Sequence, residues 1–168
     1  SPGRRRRTAA TLVMRAPAGS LIEQTSRLVV RRQIAYGAAL DVPWGISESA
    51  YNVRDLEHTY QYSNFGVPGL GLKRGLSENA VVAPYATALG LLVDPVASAA
   101  NLRRLAAVGL EGEYGFFDAI DYTTREAEPG MRGRGADGVV VPTYMAHHAA
   151  MTLVAVANAL LGDPMVAR

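Results

Sequence analysis

Glycine and proline interrupt the stretch between Asp41 and Gly75 so often that no long helix can run through it. The interrupting residues are Pro43, Gly45, Gly66, Pro68, Gly69, Gly71 and Gly75. Aromatic and ionisable side chains crowd between them, and ordering such a segment costs conformational entropy. We therefore interpret it as a long loop that carries a functional site.

Helical patterns flank this loop. Ser20 and Glu23 form a capping box, which predicts an amphipathic helix that runs to about Leu40. The spacing of its apolar residues predicts a single packed face. That face is predicted to contain Leu21, Ile22, Leu28, Val29, Ile34 and Ala35.

Three further helices are predicted downstream. Pro84 suits the first turn of one helix, because its ring presets φ where no N–H is needed. Asp94, followed by a proline, marks the N-cap of the next helix, which runs to Gly109. A second glycine-rich loop, 110–139, precedes a last helix over about 143–161. These patterns predict a mainly α fold of paired helices with long loops at one end.

Composition excludes several classes of protein. Hydrophobic residues make up 49% of the 168 and charged residues 19%, which is typical of a globular domain and not of a disordered chain. There is no cysteine, which excludes disulfides and thiolate chemistry. The apolar run 145–161 carries His147, His148 and Asn158 and is too short for a membrane span, so we expect no direct membrane insertion by this segment.

The basic character of the chain lies in its first residues. Lysine and arginine number 17 against 15 acidic residues, and Arg4–Arg7 alone account for more than this excess. We interpret residues 1–19 as a basic connector and 20–168 as one domain. We expect no nucleic-acid partner; the alternative, binding through Arg4–Arg7, predicts an association that is sensitive to salt.

The loops carry side chains that suit sugar chemistry, since aromatic rings stack on sugar faces and polar groups bind hydroxyls. Cleavage or transfer of a glycosidic bond normally takes two carboxyl groups. The candidates in the loops are Glu48, Asp55, Glu113, Asp118 and Asp121. Composition alone does not indicate which two of these carboxyl groups act on the glycosidic bond.

The adjacent pair His147 and His148 raises the question of a metal site. Neighbours on a helix point about 100° apart, whereas the common two-histidine arrangement places its ligands at i and i+4. We therefore predict no metal and no cofactor. One histidine is expected to face the site as a hydrogen-bond partner, and the other to be satisfied within the helix packing.

Long motifs carry a family resemblance. They are PWGISESAYN at 43–52, RD at 54–55, YQYSNFGVPGLGLKRG at 60–75, VAPYAT at 82–87, YGF at 114–116, AIDYT at 119–123 and YMAHH at 144–148. In this order they closely resemble the glucoamylase-like domain of bacterial cyclic β-1,2-glucan synthases. The resemblance covers about 19–168.

The resemblance implies an all-α (α/α)6 toroid or barrel, of which residues 20–168 form the C-terminal part, a partial barrel of helical hairpins. It also implies retaining transglycosylation of linear β-1,2-glucan, which closes that chain into a ring. The implied partners are this glucan and the other domains of the synthase, at the cytoplasmic face of the bacterial inner membrane. The alternatives are an inverting β-1,2-glucan hydrolase and a non-catalytic glucan-binding domain.

The resemblance assigns Glu48 to the catalytic pair and expects the second carboxylate from Asp118, with Asp121 in reserve. Asp118 stands where the family usually has glutamate, and Ala149 and Ala150 stand where it has glutamine and glycine. A misplacement of about 1 Å costs on the order of a hundredfold in rate, so these departures favour the non-catalytic alternative. The implied substrate-binding residues are Trp44, Asn52, Arg54, Asp55, Tyr60, Gln61, Tyr62, Lys73, Arg74, Tyr122, His147 and His148.

Five of these assignments have structural alternatives. Trp44, Tyr60 and Tyr62 either stack on sugar rings or serve as core aromatics beneath the long loop. Arg54 and Asp55 either contact the sugar or form a charge pair that holds the loop.

Overall fold

The computed structural model describes residues 12–14, 16–71, 75–123 and 138–166. Within these ranges the chain forms four α-helices and seven short β-strands. The helices are α1 (Leu21–Ala39), α2 (Pro84–Gly90), α3 (Pro95–Leu105) and α4 (Ala146–Leu161). The strands are β1 (Ser49–Arg54), β2 (Tyr60–Ser63), β3 (Val81–Val82), β4 (Glu111–Gly112), β5 (Gly115–Phe116), β6 (Ala119–Asp121) and β7 (Val139–Val141). The expectations for Arg4–Arg7, Lys73 and Arg74 concern residues outside the described ranges.

The strands show that the all-α prediction, and with it a partial (α/α)6 barrel made only of helical hairpins, is wrong. β1 and β2 form an antiparallel hairpin, and β4 pairs with β5. A three-stranded antiparallel sheet has the order β3-β6-β7. Both segments interpreted as loops therefore contain strands. Their pattern was missed because all of the strands except β1 have two to four residues, too few to show alternation.

Helix α1 begins at the predicted capping box. Ser20 Oγ accepts a hydrogen bond from the backbone N of Glu23 at 3.3 Å, and the Glu23 carboxylate accepts one from the backbone N of Gly19 at 2.6 Å. The packed face differs from the prediction, because Leu21 and Leu28 are 80% and 62% exposed. The residues that α1 buries are Glu23, Ser26, Val30 and Gly37.

The other helices follow the predicted caps. Asp94 caps α3, its Oδ1 accepting from the backbone N of Ala97 at 3.1 Å. A π-helical turn, Ala106–Leu110, follows α3 and contains Gly109 at a φ of 86°. Gly162 ends α4 in the left-handed conformation. Helix α2 packs against both α3 and α4, and none of the described helices is long and apolar enough to cross a membrane.

The main core lies between the three-stranded sheet, β1 and the end of α3. Its fully buried members include Ala50, Val81, Val82, Leu105, Leu110, Ala119, Ile120 and Val141. A second cluster joins Leu12 of the predicted connector to α2 and α4. There the carbonyl of Leu12 accepts a hydrogen bond from Asn158 at 2.9 Å. The boundary between connector and domain at residues 19 and 20 stays a prediction.

A buried polar network holds the backbone that leads into β1. Asn101 accepts from the backbone N of Trp44 at 3.2 Å and donates to its carbonyl at 2.7 Å. The hydroxyl of Thr87 donates to the same carbonyl at 2.9 Å and accepts from Asn101 at 2.9 Å. Trp44 approaches α1 so closely that a Cβ on Gly37 would lie 2.9 Å from the Trp44 Cβ and 3.0 Å from its Cα. This network, here called the Trp44 network, fixes the chain just before Glu48.

Candidate active site

Several element ends bring ionisable side chains together in one place. Glu48 immediately precedes β1, Tyr62 lies in β2, and Asp118 immediately precedes β6. His147 and His148 lie in the first turn of α4, which follows β7 by a short connection. Because β6 and β7 are paired, the chain before β6 and the start of α4 lie side by side. We call these five side chains the site cluster.

Asp118 and His148 form the buried end of the site cluster, each 4% exposed. Asp118 Oδ1 lies 2.6 Å from His148 Nδ1, and Asp118 Oδ2 accepts from the backbone N of Ala50 at 2.7 Å. Because a carboxylate accepts hydrogen bonds, this contact favours the His148 tautomer that carries its N–H on Nδ1. Nε2 of His148 then faces the hydroxyl of Tyr62, at 3.2 Å.

Tyr85, in α2, holds the ring of His148 from one side. The two rings are stacked, with centroids 3.8 Å apart and an interplanar angle of 12°. The hydroxyl of Tyr85 lies 2.6 Å from Oγ of Ser47, the residue before Glu48. Burial raises the pKa of Tyr85 well above its ordinary value, although the hydrogen bond with Ser47 acts in the opposite direction.

Tyr62 stands at the exposed end of the site cluster. Its hydroxyl lies 3.4 Å from Nε2 of His147, so both histidines reach the same phenol. Burial raises the pKa of Tyr62 to about 12, and the negative charges of Glu48 and Asp118 add to the effect. The phenol is therefore protonated at neutral pH and available as a hydrogen-bond donor.

Glu48 is half-buried and lines an open cleft of about 420 Å³, within the size range of small-ligand sites. Gln33 of α1 binds both backbone groups of Ile46, at 2.7 and 3.0 Å, and so fixes the wall of the cleft. A carboxylate oxygen of Glu48 and ring nitrogens of His147 and His148 lie within 4.8 Å of one another. A larger cavity of about 490 Å³, near the ends of α2 and α4, contains none of the predicted site residues.

Asp121, the last residue of β6, binds the backbone of β1 and of the segment after β6. It is 2% exposed, and its oxygens accept from the backbone N of Asn52 at 3.0 Å and of Thr123 at 2.9 Å. The Asn52 side-chain oxygen is buried without a hydrogen-bond partner among the described residues. Tyr122 packs against the main core.

The remaining predicted binding residues lie on the β1–β2 hairpin and contact one another. Asp55 Oδ1 accepts from two backbone N–H groups of the turn, at 2.9 and 3.0 Å, and Oδ2 accepts from Gln61 at 3.2 Å. The guanidinium of Arg54 lies 4.3 Å from the centre of the Tyr60 ring and donates to its hydroxyl. Arg54 thus pairs with Tyr60 rather than with Asp55.

The structure brings some predicted residues together and separates others. The five side chains of the site cluster meet, whereas Trp44 is 7% exposed and lies in the core. Sequence reasoning missed Ser47 and Tyr85 as members of the site. Both lie inside motifs that carry the family resemblance, and this was the signal that marked them.

Comparison with known proteins identifies the class. Residues 23–163 match the model of the glycoamylase family, described as putative glucoamylase, and the chain belongs to this family. It is also similar to the cyclic β-(1,2)-glucan synthase NdvB of Rhizobium meliloti (strain 1021), with 51% identity over 154 residues. The match covers 92% of this chain and 5% of that synthase. These findings confirm the family resemblance.

Proposed function

We propose that this chain supplies part of the active site of a cyclic β-1,2-glucan synthase, where linear β-1,2-glucan is closed into rings by retaining transglycosylation. Family membership and the similarity to the synthase support the substrate. The observation that carries the proposal is the position of Glu48, a half-buried carboxylate on the wall of a cleft beside a protonated phenol and two imidazoles. The other domains of the synthase, and its place at the cytoplasmic face of the inner membrane, belong to the same proposal.

The three predicted catalytic carboxylates have different surroundings. Both oxygens of Asp118 and both oxygens of Asp121 already accept hydrogen bonds, and both side chains are buried. Glu48 is the one of the three that lines the cleft. We assign Glu48 to the reacting sugar and Asp118 to the positioning of His148.

In the proposed reaction, a carboxylate oxygen of Glu48 attacks the anomeric carbon. The glycosidic bond breaks, and the leaving oxygen takes a proton from a second carboxyl group. A hydroxyl of the same glucan then attacks the anomeric carbon, Glu48 leaves, and the second group takes the hydroxyl proton. Retaining pairs lie about 5 to 5.5 Å apart on the two sides of the scissile bond. Because both oxygens of Asp118 and of Asp121 accept hydrogen bonds, we assign the role of the second carboxyl group to neither of them.

The test is Glu48→Gln in the full-length protein, incubated with linear β-1,2-glucan and followed by mass spectrometry. Ring formation is expected to fall at least about a hundredfold, because the amide cannot form the glycosyl ester. Glu57→Gln is the matched control, since Glu57 is exposed at the hairpin turn, and it should leave ring formation unchanged.

Other outcomes identify the alternatives. Glucan that binds to both proteins but stays intact would support a non-catalytic binding domain. Shortened products whose new reducing end has the opposite anomeric configuration would support an inverting hydrolase. Salt-sensitive binding to nucleic acid that disappears when Arg4–Arg7 are removed would support the remaining alternative.

A further inference from the structure

The two adjacent histidines converge instead of diverging. Their ring centroids lie 4.0 Å apart, and Nε2 of each lies within 3.4 Å of the Tyr62 hydroxyl. The expectation that neighbours on a helix point apart therefore does not describe these two rings. With Glu48 they form a group of three potential ligand atoms within 4.8 Å of one another. Two imidazoles and one carboxylate form the ligand set of a well-known class of zinc sites.

A second observation points to the same kind of ligand. The Asp118 carboxylate binds Nδ1 of His148 at 2.6 Å and so leaves the lone pair of Nε2 on the side of Tyr62, whose hydroxyl lies 3.2 Å away. Histidines that bind metals almost always donate their other ring N–H to a carboxylate or carbonyl in this manner. Asp118 is itself held by the backbone N of Ala50 at 2.7 Å, which fixes the direction of the imidazole.

The geometry fits a small ion after modest side-chain movement. Ligand atoms around tetrahedral zinc lie about 3.4 Å apart, given metal–ligand distances near 2.0 to 2.1 Å. His148 is buried and fixed, whereas His147 is exposed and Glu48 half-buried, so these two can rotate toward it. Tyr62, 40% exposed, can swing away from the two ring nitrogens. A fourth position then stays open to water beside the exposed His147.

We propose that Glu48, His147 and His148 bind one divalent first-row transition-metal ion, such as Zn²⁺, at the point in the site cluster where their ligand atoms meet. Imidazole ligands select such ions over Mg²⁺ and Ca²⁺, which prefer sites made wholly of oxygen. The ion binds the Glu48 carboxylate, which we assign to the reaction with the sugar, so bound metal inhibits ring formation. This second part rests on the proposed function, whereas the metal site itself does not.

The first experiment measures binding of Zn²⁺ to the purified chain by isothermal titration calorimetry, and of Co²⁺ by visible absorption. One ion per chain is expected, with the intense Co²⁺ bands of a four-coordinate site. His147→Ala should abolish binding without unfolding the chain, because this side chain is exposed. His58→Ala is the matched control, since His58 lies in the exposed hairpin turn, and it should bind as the unsubstituted chain does.

A further variant tests the role of the carboxylate behind the ring. Asp118→Asn should lower the affinity for Zn²⁺ by about 10- to 100-fold, the usual effect of removing the partner of a metal-binding histidine. Circular dichroism of each variant checks that it is folded. Absence of saturable Zn²⁺ binding by the unsubstituted chain, or equal binding by His147→Ala and His58→Ala, would overturn the proposal.

The second experiment follows ring formation by the full-length protein as Zn²⁺ is added and then removed with a chelator. Reversible loss of rings over the concentrations that saturate the site is expected. Zinc binding without loss of ring formation would overturn the inhibitory part and leave the metal site intact. A protein that binds Zn²⁺ but forms no rings even without metal would instead count against the proposed function alone.

Discussion

Two buried polar networks lie close together in this molecule, and they differ in kind. The Trp44 network is built from neutral groups, and Trp44, Thr87 and Asn101 are between 0% and 7% exposed. The site cluster is built from ionisable groups and runs from buried Asp118 out to Tyr62. The groups of the Trp44 network bind one another, whereas Glu48 of the site cluster lines a cleft.

This difference between neutral and ionisable groups predicts which network contributes mainly to stability and which contributes to function. A buried hydrogen bond between neutral groups contributes about 1 kcal/mol, and its partners cost about 1 to 3 kcal/mol each when they are left unpaired. Burying ionisable groups is expensive and is seldom the most stable solution available to a fold. Such groups concentrate where chemistry uses them. We therefore expect substitutions in the Trp44 network to affect stability, and substitutions in the site cluster to affect the chemistry of the cleft as well.

The largest loss of stability is expected from Asn101→Ala. The substitution removes three hydrogen bonds and leaves the backbone N of Trp44 buried without its partner. The free energy of unfolding, measured by urea denaturation, should fall by about 2 to 4 kcal/mol. Arg103→Ala, on the exposed side of the same helix, is the control and should change it little. A loss below about 1 kcal/mol for Asn101→Ala would remove the basis of the comparison.

A smaller loss, with a chemical signature, is expected from Asp118→Asn. The amide can still accept from the backbone N of Ala50, but its NH₂ faces Nδ1 of His148 and favours the opposite tautomer. The free energy of unfolding should fall by about 1 to 3 kcal/mol. In the ¹⁵N spectrum of the His148 ring, Nδ1 should take the chemical shift of an unprotonated nitrogen and Nε2 that of a protonated one. Asp121→Asn is the matched control, since Asp121 is equally buried but binds backbone N–H groups. If both variants leave the tautomer unchanged, Asp118 does not orient the ring.

The sequence predicted the helices better than the sheets, for a physical reason. Caps such as Ser20 and Asp94 act within three residues of themselves, so their effect is visible in a short window. The strands depend on partners far along the chain: Val82 pairs with Ile120, for example, and neither strand is long enough to show its own period. The buried face of α1 was misjudged because the elements that pack on it accept Ser26 and Gly37 there.

The site shows the same limit. Motifs identified all five residues of the site cluster as candidates, but spacing along the chain did not reveal which atoms meet. Asp118 and Ala50 are 68 positions apart, and their hydrogen bond decides that this carboxylate is held inside the protein. Trp44 was indistinguishable from a sugar-stacking ring until its 7% exposure placed it in the core.

A still smaller effect on stability is expected at high pH. The unfolded chain ionises Tyr62 near pH 10, whereas the folded protein keeps it protonated to about 12, so the folded state binds more protons in this window. Stability therefore falls as the pH rises from about 10 to 12, and below pH 10 this group has no effect. Tyr62→Phe should weaken that dependence, whereas Tyr114→Phe, which removes the hydroxyl of a 77% exposed side chain, is the control. Equal dependence in both variants would show that Tyr62 ionises like a surface phenol.

The smallest effect is expected from Asp55→Ala, which tests whether burial or the number of bonds separates the two networks. Asp55 accepts three hydrogen bonds, more than Asp118 does, but it lies at the surface, where water replaces lost partners. Unfolding free energy should fall by no more than about 1 kcal/mol, with Glu57→Ala in the same turn as the control. Glucan affinity should not change, because both carboxylate oxygens of Asp55 accept hydrogen bonds within the hairpin. A loss comparable to that of Asp118→Asn would mean that bond number matters more than burial, and a loss of glucan affinity alone would make Asp55 the sugar ligand that the family resemblance implied.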